Sequence, residues 1–193
     1  MAERTNPNFF QEFWTDAWQR SILTLDVLRE RGNTFVARAA EDAPHVLGFA
    51  FDVVLDGRTL PRPVNYVLVS VTPPEGTVID PAKPPYVVVD PRAGHGPGIG
   101  GMKQESEIGV ALAAGHACYF VGFLPKPMPG QTIADVCVAE AAFLEVVAAR
   151  HPEAESKPVV VGNCQAGWQI MTTAAIRPDL FGPILLAGSP LSY

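Results

Sequence analysis

Cysteine is scarce in this sequence: three residues in 193, none of them in a C-x-x-C pair. An odd, unpaired set excludes a disulfide scaffold and suits a reducing compartment, so a cytoplasmic location is expected. The four histidines, His45, His95, His116 and His151, lack the spacing of zinc ligands, which argues against a structural metal. Basic charge is also thin. Fourteen Lys and Arg against twenty Asp and Glu leave a net charge of -6, and the basic residues form no run. That pattern excludes a nucleic-acid partner, because neutralising phosphates takes clustered cations. No stretch reaches the roughly 18 apolar residues of a membrane span. A signal-peptide core is missing too, since Gln11, Glu12, Asp16, Gln19 and Arg20 interrupt the apolar residues near the start.

What remains is a composition of 48% apolar and 18% charged residues, enough for a compact core. Phe10, Phe13, Trp14, Ala17, Trp18, Ser21, Leu25 and Leu28 recur at helical spacing, between an Asn6-Pro7 entry and a Gly32-Asn33 stop. This predicts an amphipathic helix within residues 1–35, ahead of a domain over residues 45–193. The aromatic end, residues 9–28, suits contact with a granule, a membrane surface or a protein partner, or packing on its own domain.

Residues 46–55 alternate as a strand, and Asp56-Gly57 signals a turn into a second strand at 64–71. The pattern then changes. Short apolar runs at 86–90, 117–123, 158–162 and 183–187 do not alternate, as expected of strands buried on both faces. Helical stretches at 104–115, 134–150 and 165–177 separate them, and Thr132 with Asp135 resembles a capping box for the second. An antiparallel hairpin followed by strand–helix alternation predicts an α/β fold with a mostly parallel sheet covered on both faces.

Chemistry concentrates at two points. Residues 159–168 read strand, sharp turn, helix, with Gly162 and Gly167 flanking Cys164 in the manner of the G-x-nucleophile-x-G elbow of α/β-hydrolases, the second glycine one position later than in that pattern and Ala166 in its place. The glycines are needed because side chains close to the nucleophile, at Gly162 two positions before it and at Gly167 three after, collide where strand and helix converge. Such a turn leaves the Cys164 sulfur beside a helix N-terminus, whose partial positive charge favours thiolate. The Gln165 N–H then faces a developing oxyanion. The second point is the glycine-rich loop after the strand at 86–90, where hydrolases place the other oxyanion donor. Arg92, Ala93, Gly94 and His95 are the candidates there.

The same loop holds Gly96-x-Gly98-x-x-Gly101, a dinucleotide-like spacing. Its first glycine stands too far beyond the strand, and no acid follows the next strand to hold a ribose, so no cofactor is expected. In this fold the order is nucleophile, acid, histidine, whereas all four histidines precede Cys164. Asp179 reads as a surface helix exit, and Cys118 and Cys137 read as core.

At residues 162–168 the chain resembles the polyhydroxyalkanoate synthases, whose lipase-like box carries Cys rather than Ser. The likeness extends to residues 84–90 and 115–121 and covers roughly residues 45–190. It looks closest to a bacterial family labelled poly(3-hydroxyalkanoate) synthetase-like. The resemblance implies an α/β-hydrolase fold and a Cys working with an Asp and a His to take hydroxyacyl groups from coenzyme A. Only the Cys carries over, onto Cys164, and residues 92–101 depart from the synthase sequence. The fold it implies has at least two more strands after residues 183–187, so the C-terminal part is expected to be missing, with exposed apolar surface and self-association as consequences. The expected function is acyl transfer, by hydrolase or acyltransferase, on a small ester or acyl-coenzyme A through an acyl-cysteine. The alternative is a non-catalytic interaction protein of the same fold.

Overall fold

A computed structural model describes residues 9–39, 44–93 and 96–192. Its contacts divide the chain into residues 1–43 and 44–193. In the first unit, helix α1 spans Phe9–Ala39, longer than the expected stop at Gly32-Asn33. Glycine ends a helix when it turns left-handed, and Gly32 does not take a positive φ. It sits inside the helix at a cost of about 1 kcal/mol. Ion pairs one turn apart, Arg20–Asp16 at 2.7 Å and Arg29–Asp26 at 2.8 Å, add modest support. Phe10 and Phe13 meet Trp14 edge-on, and these rings are exposed.

The second unit is built on one six-stranded sheet: β1 (Phe51–Asp56), β2 (Tyr66–Val71), β3 (Tyr86–Val89), β4 (Cys118–Phe123), β5 (Val159–Asn163) and β6 (Ile184–Ala187). Their order across the sheet is β1-β2-β4-β3-β5-β6. β2 runs antiparallel to both β1 and β4, and the remaining neighbours are parallel. Helices α2 (Glu107–Ala113), α3 (Ile133–Arg150) and α4 (Gln165–Ile176) fill the crossovers. An antiparallel start, the β4-β3 exchange and a strand–turn–helix after β5 make this an α/β-hydrolase fold.

Alternation along β3 shows how the sheet is covered. Val87 and Val89 join Phe143, Leu144, Val147 and Ile170 on the α3–α4 face, whereas Val88 joins Ile108 and Leu112 on the α2 face. Each such side chain contributes about 1.5–3 kcal/mol of burial, which makes the central strands a rigid platform. The Thr132–Asp135 capping box is formed at the start of α3.

Two expectations shift. Residues 46–50 are not strand. Leu47 and Phe49 do point inward alternately, but the N–H groups of Val46 and Gly48 donate to Pro97 and Gly101 carbonyls at 2.8 and 2.7 Å. The segment thus pairs with the glycine-rich loop. Asp56-Gly57 is also not a two-residue turn, because the Asp56 carboxylate accepts the Arg58 N–H at 2.9 Å and starts a short 3-10 turn at Gly57–Thr59.

Parallel register decides what lies near what. Val89 pairs with Gly162, and Asn163 pairs with Ala187. The loops leaving β3 and β5 therefore emerge side by side at the carboxyl edge.

Candidate active site

Cys164 is the single residue between β5 and α4, with φ 50° and ψ -120°. A side chain there costs about 1–3 kcal/mol, so the surroundings must impose it. They do so on both sides. The Cys164 N–H donates to the Ala187 carbonyl at 2.9 Å, and its carbonyl accepts the Gly167 N–H at 3.1 Å. A Cβ on Gly162 would approach Ile170 Cδ1 at 2.7 Å and Gly167 Cα at 2.9 Å, and one on Gly167 would run into the Ser189 side chain. The convergence of strand and helix leaves no room at Gly162, and the segment after β6 leaves none at Gly167.

The Cys164 thiol is exposed, whereas Cys118 and Cys137 are buried. Burial pushes the Cys118 thiol up to about 12 and raises that of Cys137, so both stay protonated. Gln165 opens α4, and helix geometry leaves its N–H without a carbonyl one turn earlier. Asn163, buried just before the turn, donates its amide to Glu107 at 2.7 Å and pins the end of β5 to the first turn of α2.

The loop after β3 is organised by Asp90, which lies just beyond the end of the strand rather than within it. It is fully buried. Its carboxylate accepts the N–H groups of Arg92 at 2.8 Å, Gly98 at 2.7 Å and Ile99 at 3.1 Å. Two of the N–H groups in the dinucleotide-like run are therefore committed to the protein's own carboxylate and cannot cradle a phosphate. Arg92 takes φ 58°, the other left-handed non-glycine residue among those described. Its guanidinium lies 4.9 Å from the Phe123 ring centre and 5.6 Å from that of Tyr66.

Arg92, Tyr66, Gln165, Trp168 and Gln169 line one cleft of about 490 Å³. The structure thus brings Arg92 and Gln165 together beside the elbow. Ala93 follows Arg92 and is exposed, whereas Gly94 and His95 lie outside the described residues. Behind Gln169, Glu140 of α3 is buried and accepts hydrogen bonds from the Gln169 amide and from the Thr173 hydroxyl at 2.5 Å. Burial pushes its carboxyl up to about 7, against the pull of those bonds.

Residues 16–193 match the family model described as a protein of unknown function, DUF3141. The chain belongs to that family. This DUF3141 chain is 65% identical over 178 residues to the "Uncharacterized protein in ackA 5'region" of Rhizobium meliloti, a match covering 92% of this chain and 24% of that one. It therefore spans about a quarter of that relative's length. Among solved structures, a membrane phospholipase A described as a bacterial virulence factor aligns at TM-score 0.47 and 13% identity, over 93% of this chain and 52% of that one. A bacterial heroin esterase aligns at TM-score 0.44 and 17% identity, over 87% and 53%. The fold assignment for the DUF3141 domain rests on its own strand order and elbow.

Among the described residues of the DUF3141 domain, the histidines do not gather at this site. His116 Nδ1 lies 2.8 Å from the Pro84 carbonyl, His151 Nε2 lies 2.9 Å from the Tyr119 hydroxyl, and His45 packs on Phe51. Because Tyr86 pairs with Cys118 and Ser70 with Tyr119, His116 and His151 stand at the amino edge, opposite the elbow. Asp179 pairs with Arg177 at 2.8 Å on the surface. Among the described residues no His, Cys, Asp or Glu cluster is arranged to hold a metal, and no helix is long and apolar enough to cross a membrane.

Proposed function

We propose that the domain performs acyl transfer on an ester or coenzyme A thioester, with Cys164 as nucleophile. The sulfur attacks the acyl carbonyl and a new S–C bond forms. The C–O or C–S bond to the leaving group breaks, and the thiol proton ends on the departing alcohol or thiol. Water or a second alcohol then takes the acyl group from Cys164. A hydroxyacyl acceptor would make the reaction synthase-like.

The observation that carries this reading is the exposed Cys164 thiol in a left-handed turn between a buried parallel strand and a helix N-terminus. The strain keeps the sulfur out of the strand and in the open, and the helix end favours thiolate. Gln165 N–H is one oxyanion donor, and the stretch Arg92, Ala93, Gly94 and His95 supplies the other, a pair worth roughly 10²–10³-fold per donor. Gly162 and Gly167 serve the turn alone.

The test is intact-mass spectrometry after incubation with p-nitrophenyl butyrate or butyryl-coenzyme A. One acyl group should appear on Cys164 and be absent in Cys164→Ala, with acylation slowed at least about 10³-fold. Undiminished acylation of Cys164→Ala would exclude Cys164 and favour an interaction protein using the exposed aromatic residues of α1.

A further inference from the structure

Among the described arginines Arg31 and Arg150 stand exposed at the surface, and the others differ in what meets the guanidinium. Arg20, Arg29, Arg58, Arg62 and Arg177 each meet a carboxylate, so their charge is spent within the protein. The Arg92 guanidinium has no carboxylate partner among the described residues, and it meets the faces of Phe123 and Tyr66 instead. It is also the one charged residue among those described lining the 490 Å³ cleft beside Cys164.

Its placement is imposed from below. The Arg92 N–H is held by the buried Asp90 carboxylate, and its backbone is turned left-handed, which directs the side chain across the two rings rather than along the loop. Ring stacking covers the flat face of a guanidinium and leaves the in-plane N–H groups for a ligand. What remains is a planar, permanently charged fork at a cavity otherwise lined by rings, aliphatic groups, amides and Thr132. That is the geometry for a bidentate carboxylate or phosphate.

We propose that Arg92 determines specificity in this cleft by binding an anionic oxygen group of the substrate, either a carboxylate at the far end of the acyl chain or a phosphate on the leaving group. The reacting bond assumed here rests on the acyl-transfer reading, whereas the anion site itself does not. The chain carries a net charge of -6, so its average field repels such a substrate, and a local cation is what admits it.

Equilibrium calorimetry separates the two. The probes are N-butylsuccinamate for a carboxylate, coenzyme A for phosphates, and neutral N-butylbutyramide as reference, none of which acylates the thiol. At least one anionic probe should bind about tenfold or more tightly than the neutral amide. Arg92→Gln should remove that advantage, and Arg92→Lys should keep part of it, since it retains charge but loses the planar fork. An advantage for succinamate places the anion on the acyl side, and one for coenzyme A places it on the leaving group. Equal binding of all three probes, no binding of either anion, or an advantage surviving in folded Arg92→Gln overturns the proposal. Arg92-dependent anion binding without any acylation of Cys164 would sink the enzyme reading alone, and acylation without anion preference would sink the anion site alone.

Discussion

The two edges of the parallel strands treat their polar groups in opposite ways. At the amino edge His116 is matched to a carbonyl and His151 to a hydroxyl, and the backbone there is relaxed. At the carboxyl edge stand both left-handed non-glycine residues among those described, an exposed thiol, and a guanidinium on aromatic faces. Buried groups at this edge are aimed at holding that arrangement: Asp90 holds the β3 loop, and Asn163 ties the elbow strand to α2. Strain persists only where neighbouring structure over-determines it. One edge is built for stability and the other is held in a costly shape, which is the physical reason for placing chemistry at the second.

Asp90→Ala is the strongest way to break this asymmetry. It removes a buried acceptor and orphans the N–H groups of Arg92, Gly98 and Ile99. Urea denaturation should show a loss of about 3 kcal/mol or more, because each buried unpaired donor costs about 1–3 kcal/mol. Acylation of Cys164 and anion preference should fall together, since the loop carries both the proposed oxyanion donor and Arg92. An unchanged urea midpoint would mean that the carboxyl edge needs no such support.

Much of this was legible in the sequence, and the failures share a cause. Buried β-strands show as unbroken apolar runs, and the elbow shows as two glycines flanking a cysteine because the constraint is local. Thr132 and Asp135 are local in the same sense. Asp90 is not: its partners lie up to nine residues ahead, and nothing in the run Val-Val-Val-Asp distinguishes a carboxylate that gathers a loop from one that ends a strand. An acid closing an apolar run before Pro-Arg-x-Gly was the available signal. Tyr66 and Phe123 come from separate strands, and only their pairing in the sheet places them under Arg92. Glu140, one acid inside the apolar run Cys-Val-Ala-Glu-Ala-Ala-Phe, was visible as an anomaly, but its partners Gln169 and Thr173 sit on another helix.

Glu140 sharpens the comparison, since it is costly yet lies behind the cleft rather than in it. Its folded carboxyl is raised from 4.5 to about 7. A raised acid favours the folded state while protonated, so its contribution is complete below pH 4.5 and is lost as pH rises through 7. Stability should decline by up to about 3 kcal/mol across that window. Glu140→Gln, which mimics the protonated acid, should flatten the decline and be the more stable protein at pH 8 by thermal melting. His151 acts at the other end. Its folded value is lowered by burial and by Arg150, so its contribution is present above pH 6.5 and is lost as pH falls through the depressed value. If Glu140→Gln also abolished acylation at pH 8, Glu140 would belong to the site and the division between the edges and the interior would need redrawing.

The smallest effect is the most direct measure of the strain. At an ordinary position, replacing Ala by Gly costs about 0.5–1 kcal/mol, because glycine has more conformational freedom to lose on folding. Ala117, half-buried just before β4 at the amino edge and without a positive φ, should behave this way in Ala117→Gly. At position 164 the sign should reverse. Both Cys164→Ala and Cys164→Gly lack the sulfur, and they differ only in the Cβ that makes φ 50° and ψ -120° expensive. Relief of about 1–3 kcal/mol outweighs the entropy term, so the Gly variant should be more stable than the Ala variant by about 1 kcal/mol, or about 2–4 °C in melting temperature. A Gly variant that melts below the Ala variant would mean that the turn is unstrained in solution. The sulfur would then owe its exposure to sequence position alone, and the contrast between the two edges would lose its energetic basis.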